Sequence, residues 1–186
     1  MSAGARDGAG AGGGAGGGRG RPIVQVALDF VDLPRALQVA REAVAGGVDL
    51  GDRVVHGGPR YSHQTIIDDE VLREIEKAAE FAPLHNPVNL LGIREARRLF
   101  PGATHVAVFD TAFHQVMPPY AYLYGLPYDY YDKKSIRRYG FHGLSHAWAA
   151  KRAAELLGRP LDDLRLVTCH LGAGASLAAV HAGRSI

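Results

Sequence analysis

Eight residues near the end of the sequence, Cys169–Ser176 (CHLGAGAS), set a histidine and small residues directly after an apolar run, Leu164–Thr168. Small residues after a strand let a backbone come close to a phosphate, and an imidazole adds a donor. Cys169, the single cysteine, reads as core filler rather than as a nucleophile. His142 and His146 in FHGLSH stand four apart, the spacing that holds zinc when both lie on one helical face. Gly143 and a capping Ser145 put His142 ahead of the helix, and no second His/Cys/Glu pattern completes a ligand set. Asp110 closes an apolar strand, where α/β folds place ligands; a turn cap formed with Thr111 is the equally open alternative. Arg53 heads the stretch RVVH, and its planar guanidinium suits a carboxylate or phosphate, although a surface charge is the ordinary use.

These residues need elements to position them. IVQVALDF (Ile23–Phe30), RVVH (Arg53–His56), Thr104–Phe109, Leu164–Thr168 and Leu177–His181 read as strands. Leu33–Ala45, Asp68–Ala82, Leu90–Phe100 and Ser145–Leu157 read as helices. The clearest is Asp68–Ala82, capped by Asp68 or Asp69, striped by Val71, Leu72, Ile75, Ala78 and Ala79, and followed by Pro83. The tyrosine- and proline-rich stretch around Tyr120–Tyr131 predicts irregular backbone at a core edge or subunit contact. Strands alternating with helices argue an α/β or α+β layer fold.

Composition narrows the rest. Residues 1–22 hold ten of the 24 glycines and almost nothing to bury, which predicts a disordered tail. The remainder, Ile23–Ile186, is long enough for one core. The tail has no apolar signal core and no run approaches a membrane span, so no membrane role is expected. A formal charge of +2, with three arginines in the tail, gives no nucleic-acid stripe. One cysteine suits a reducing, cytoplasmic setting. No lysine follows a glycine, so a Walker A loop is absent, and the G-x-G-x-x-G at Gly8–Gly13 has no strand before it.

The order of the pieces is more telling than any one of them. RVVHGG (Arg53–Gly58), APLHNP (Ala82–Pro87), VFDTAFHQ (Val108–Gln115), MPPYAY (Met117–Tyr122), YGFHGLSH (Tyr139–His146) and HLGAGAS (His170–Ser176) together closely resemble the acetate kinase family, from about Leu33 to Ile186. The resemblance implies a mixed sheet with flanking helices, part of the actin, sugar kinase and Hsp70 class, in proteins that pair as homodimers. It implies phosphoryl transfer between ATP and acetate, giving acetyl phosphate and ADP, with Mg²⁺. Kinases for propionate or butyrate share the fold.

Carried over by motif, Asp110 matches the aspartate termed catalytic and His142 the histidine that stabilises the transition state. Arg53 matches the arginine that contacts acetate or the transferring phosphoryl group, and His85 the histidine of the substrate region. Phe141 and Val54 would wall the methyl pocket. His170, Leu171, Gly172, Ala173 and Gly174 match a loop at the ATP phosphates. Acetate is already ionised near neutral pH, so Asp110 is expected to organise Arg53, Mg²⁺ or a metal-bound water rather than to take a proton.

Departures accompany the match. The family's opening N-x-G-S-S-S-x-K loop is absent from this sequence. Asp52 replaces a histidine and is expected to compete for Arg53; Pro59 replaces a glutamate and Ala173 an asparagine. The family is roughly twice as long, and its metal ligands, second clamp arginine and adenosine pocket have no counterpart here. A truncated remnant without activity is therefore the rival to the kinase reading, and useful turnover by this chain alone is not expected.

Overall fold

The computed structural model describes residues 23–26, 38, 41–42, 45 and 49–186. The glycine-rich segment and most of the helix expected at Leu33–Ala45 lie outside the described residues; Gln38, Arg41, Glu42 and Ala45 are helical. The architecture is mixed α/β, built on two sheets. The first has four strands, β1 (Ile23–Val26), β2 (Asp49–Val54), β3 (Thr65–Ile66) and β4 (His105–Phe109), in the order β1-β2-β4-β3. β1, β2 and β4 run parallel, and β3 is antiparallel to β4.

β2 begins at Asp49, four residues before the expected RVVH strand, so Arg53 lies near its carboxyl end and not at its start. Two aspartates disguise the strand in the sequence, but the alternation persists through them. Leu50, Asp52 and Val54 stand opposite His105, Ala107 and Phe109 of β4, and all six are buried. Paired residues on neighbouring strands share a face, and successive residues take opposite ones. Helices α1 (Asp69–Lys77) and α2 (Asn86–Leu99) cover this face with Val71, Ile75, Leu90 and Ile93. Arg53 and Val108 belong to the other face.

α1 is capped as expected, the Asp68 carboxylate accepting from the Val71 amide at 2.8 Å. α2 starts four residues earlier than its apolar spacing suggests, with a proline in its first turn, where the missing N–H costs nothing. The tyrosine-rich stretch is less irregular than expected and contains two short helices, α3 (Pro119–Tyr122) and α4 (Asp129–Lys134). α5 (Gly143–Leu157) opens at Gly143; His142 is its N-cap, with φ 57°, and Ser145 is not.

The second sheet is antiparallel, β5 (Arg165–Leu171), β6 (Ala175–His181) and β7 (Arg184–Ser185). α5 and Phe113 cover one face through Ala150, Ala178 and Val180. The other face exposes Val167, Leu171 and Leu177, and with them Cys169, which is exposed and not core filler. The strand alternation that turns Thr168 inward turns Cys169 out. Among the described residues no helix is long and apolar enough to cross a membrane.

Candidate functional site

At the last residue of β2 the carbonyl of Val54 accepts from the amide of Asp110, at 3.0 Å, which brings the ends of β2 and β4 together. Arg53 and Asp110 meet there in a two-pronged pair: Nε donates to Oδ1 at 3.0 Å and Nη2 to Oδ2 at 2.8 Å. The Asp110 side chain is 2% exposed and that of Arg53 23%, so the carboxylate is enclosed while the guanidinium still reaches the surface. Asp52 does not compete for this cation. It lies on the opposite face, buried, with Oδ2 3.0 Å from Nδ1 of His105.

The carbonyl of Asp110 accepts from the Gly143 amide at 2.9 Å, which seats the start of α5 on the end of β4 and sets His142 beside the pair. A Cβ on residue 143 would overlap the Asp110 carbonyl oxygen, so glycine is what permits the approach. The His142 ring stacks on His170, centroids 4.0 Å apart, and its Nδ1 lies 2.8 Å from Ser176 Oγ. Burial lowers the pKa of His142, the His170 ring lowers it further, the Asp110 carboxylate raises it and Arg53 lowers it. His170 is steadied by Ser145, Oγ to Nδ1 at 2.9 Å; this serine supports the site instead of capping the helix.

His170 and Leu171 end β5, and Gly172, Ala173 and Gly174 form the exposed turn to β6, closed by the Gly172 amide on the Gly174 carbonyl at 3.1 Å. A Cβ on Gly174 would stand 3.3 Å from Cε1 of His142, so the turn lies against that ring. The structure thus brings Arg53, Asp110, His142 and the glycine turn into one neighbourhood.

Phe141 and His142 help line a cavity of about 500 Å³ with His56, Phe81, Tyr139 and Ser176. Burial pushes the pKa of His56 down to about 4. Val54, expected at the pocket wall, is instead fully buried in the helix-covered core with Phe109, because alternation turns it away from the Arg53 face. His85 is exposed at the N-cap of α2.

Sequence reasoning missed Asn86, the neighbour of His85. Its Oδ1 accepts from the His56 amide at 3.1 Å, and its Nδ2 donates to the carbonyls of His56 (2.9 Å) and Ile75 (3.1 Å). Asn89 Oδ1 accepts from the Val55 amide at 3.2 Å. These two side chains fix the segment that follows Arg53, and the motif APLHNP was the signal available for the first. His146, Thr168 and Ser176 were missed as well, although the four-residue spacing of His142 and His146 pointed at the first.

A clamped guanidinium, an imidazole and an open glycine turn at strand ends form an arrangement for an anion with several charged oxygens. Residues 30–186 match the profile of the acetokinase family. The chain is 60% identical over 137 residues to the acetate kinase of Bacillus velezensis, covering 74% of this chain and 35% of that one. It resembles the solved acetate kinase of Porphyromonas gingivalis with TM-score 0.69 and 47% identity, over 74% of this chain and 35% of the other. For the propionate kinase of Francisella tularensis the TM-score is 0.72 and the identity 40%, over 81% and 40%. The chain spans well under half the length of each of these relatives.

Proposed function

Because this chain belongs to the acetokinase family, we propose that it carries the acyl-phosphate side of a site that transfers the γ-phosphoryl group of ATP to acetate. An acetate oxygen attacks phosphorus, the bond from phosphorus to the ADP oxygen breaks, and acetyl phosphate and ADP leave. No proton moves, since the carboxylate enters ionised. Charge gathers on the equatorial oxygens of the transferring group, and donors already in place oppose it without reorganising. Arg53 is such a donor as it stands, and His142 joins it when its outward ring nitrogen carries a proton. Asp110, its two oxygens already engaged by Arg53, is a positioning group and not a base. Phe141 borders the acyl group, and His170 to Gly174 lie along the ATP phosphates. His85 is assigned to substrate by its motif alone.

The observation that carries this reading is the two-pronged Arg53–Asp110 pair next to His142. Mg²⁺ belongs to the proposed reaction as the counter-ion of ATP. Among the described residues no group of three His, Cys, Asp or Glu could hold a metal ion. A cytoplasmic setting and pairing as a homodimer are part of the proposal and rest on the family.

The test is twofold. Acetyl phosphate should move the Arg53 Nε–H and His142 ring signals in the NMR spectrum of the labelled chain, and Arg53→Ala should abolish the response. Incubation with ATP, Mg²⁺, acetate and hydroxylamine should then give acyl hydroxamate at a low rate that falls about 10²–10³-fold in Arg53→Ala. Absence of both responses would leave the chain a remnant without this chemistry. Propionate as acceptor is a second reading, supported by the cavity of about 500 Å³ beside Phe141 and by the propionate kinase likeness. A larger hydroxamate yield with propionate than with acetate would favour it.

A further inference from the structure

Behind His142 runs a chain of hydroxyls and imidazoles that the phosphoryl-transfer reading does not use. Ser176 Oγ lies 2.8 Å from Nδ1 of His142 and 2.8 Å from Nε2 of His146. His146 Nδ1 lies 2.8 Å from Thr168 Oγ1, and that hydroxyl donates to the carbonyl of Ala178 at 3.4 Å. His146 is 1% exposed and Thr168 7%, so the inner end of the series is enclosed, while Ser176 and His142 are half-buried.

A hydroxyl has one proton to give, and a neutral imidazole has one donor and one acceptor nitrogen. These two facts propagate a direction. Thr168 has the Ala178 carbonyl as a second acceptor; with its proton there it accepts from His146, whose proton then sits on Nδ1. Nε2 of His146 is then bare and takes the Ser176 proton. Ser176 can only accept from His142.

We propose that Ser176, oriented through His146 by Thr168, is a positioning residue that sets the tautomer of His142, keeping its proton on Nδ1 and leaving Nε2 bare beside the glycine turn. That edge faces the turn, since a Cβ on Gly174 would stand 3.4 Å from Nε2 of His142. The titratable groups facing His142 from the packed elements are His170 of β5, His146 of α5, Asp110 and His114 after β4, and Arg53 of β2. Burial lowers the pKa of both His142 and His146, so both rings are neutral near neutral pH and the directional argument holds. For what His142 then does, the inference rests on the function proposed above. A neutral His142 is an acceptor at Nε2, and it becomes a donor to phosphoryl oxygen only by taking up a proton on that atom.

The experiment needs no turnover. The whole chain, labelled with ¹⁵N-histidine, is studied by long-range ¹H–¹⁵N correlation above the ordinary histidine range, with His142 assigned by the loss of its signals in His142→Gln. The expected spectrum shows His142 and His146 both protonated on Nδ1, the tautomer that free histidine disfavours. Ser176→Ala should return His142 to Nε2–H, and Ser176→Thr, which keeps the hydroxyl, should restore Nδ1–H. Thr168→Val should also invert His142, two hydrogen-bonded residues away, because His146 then protonates on Nε2 and turns the Ser176 hydroxyl around. A general loosening of the fold would not produce that inversion. His142 protonated on Nε2 in the parent chain, or unchanged in folded Thr168→Val, would overturn the proposal. An inactive chain with the expected spectrum supports the relay and counts only against the proposed function.

Discussion

Arg53 is held before any ligand arrives, and the carboxylate that holds it is enclosed. A lysine offers one point charge and cannot make both bonds of a planar fork. Arg53→Lys should therefore retain little of the response to acetyl phosphate, losing nearly as much as Arg53→Ala in the same NMR titration. His56 supplies a second expectation at this scale. Its pKa falls from 6.5 to about 4 on folding because the ring is buried. Between those values the unfolded chain binds more protons, so stability is complete above pH 6.5 and declines as pH drops toward about 4. His114, His142 and His146 shift in the same direction. Urea midpoints measured across this range should fall with acid, and less steeply in His56→Gln. That Arg53, Asp110 and His142 come together was legible in the sequence because each sits in a long motif. Val54 was misplaced because one residue of register reverses the face. The partnership of His142 with Ser176, 34 residues on, leaves no local pattern to read.

One meeting of elements at the site depends on a glycine. Gly143 lets α5 sit against the Asp110 carbonyl, and a methyl there collides with backbone that cannot turn aside. Gly143→Ala should cost about 2 kcal/mol or more, read as a lowered urea midpoint with unchanged slope, and should weaken the response to acetyl phosphate. Gly158 offers a contrast. It ends α5 with φ 60° and open space around it, so Gly158→Ala should cost only about 1 kcal/mol and leave the site untouched. Asp68→Ala should remove a similar ~1 kcal/mol by freeing the Val71 amide. Helix stripes and stop signals revealed α1 and the end of α5. The start of α5 was misjudged because the sequence suggests a serine cap, whereas a left-handed histidine pinned by tertiary contacts takes the position. β2 was foreshortened because the buried partner of Asp52, His105, belongs to another strand.

Across the whole molecule, alternating strands and helices predicted the layers but not their division into two sheets. Which strands pair is decided by contacts between distant segments, and local alternation looks alike in a parallel and an antiparallel sheet. The larger sheet is partly parallel and carries Arg53 and Asp110 at its strand ends; the smaller is an antiparallel meander that carries the glycine turn. α5 bridges them, its first turn on Asp110 and its buried stripe on β6. The bare face of the smaller sheet holds the chain's one sulfhydryl, Cys169. That thiol is a built-in gauge of what touches the face. A maleimide should add once to the native chain without denaturant, as intact mass would show, and uptake only after unfolding would contradict the exposure. Whatever settles on Val167, Leu171 and Leu177 must then slow the alkylation, so the reaction rate times the covering of the sheet without any probe being engineered into it.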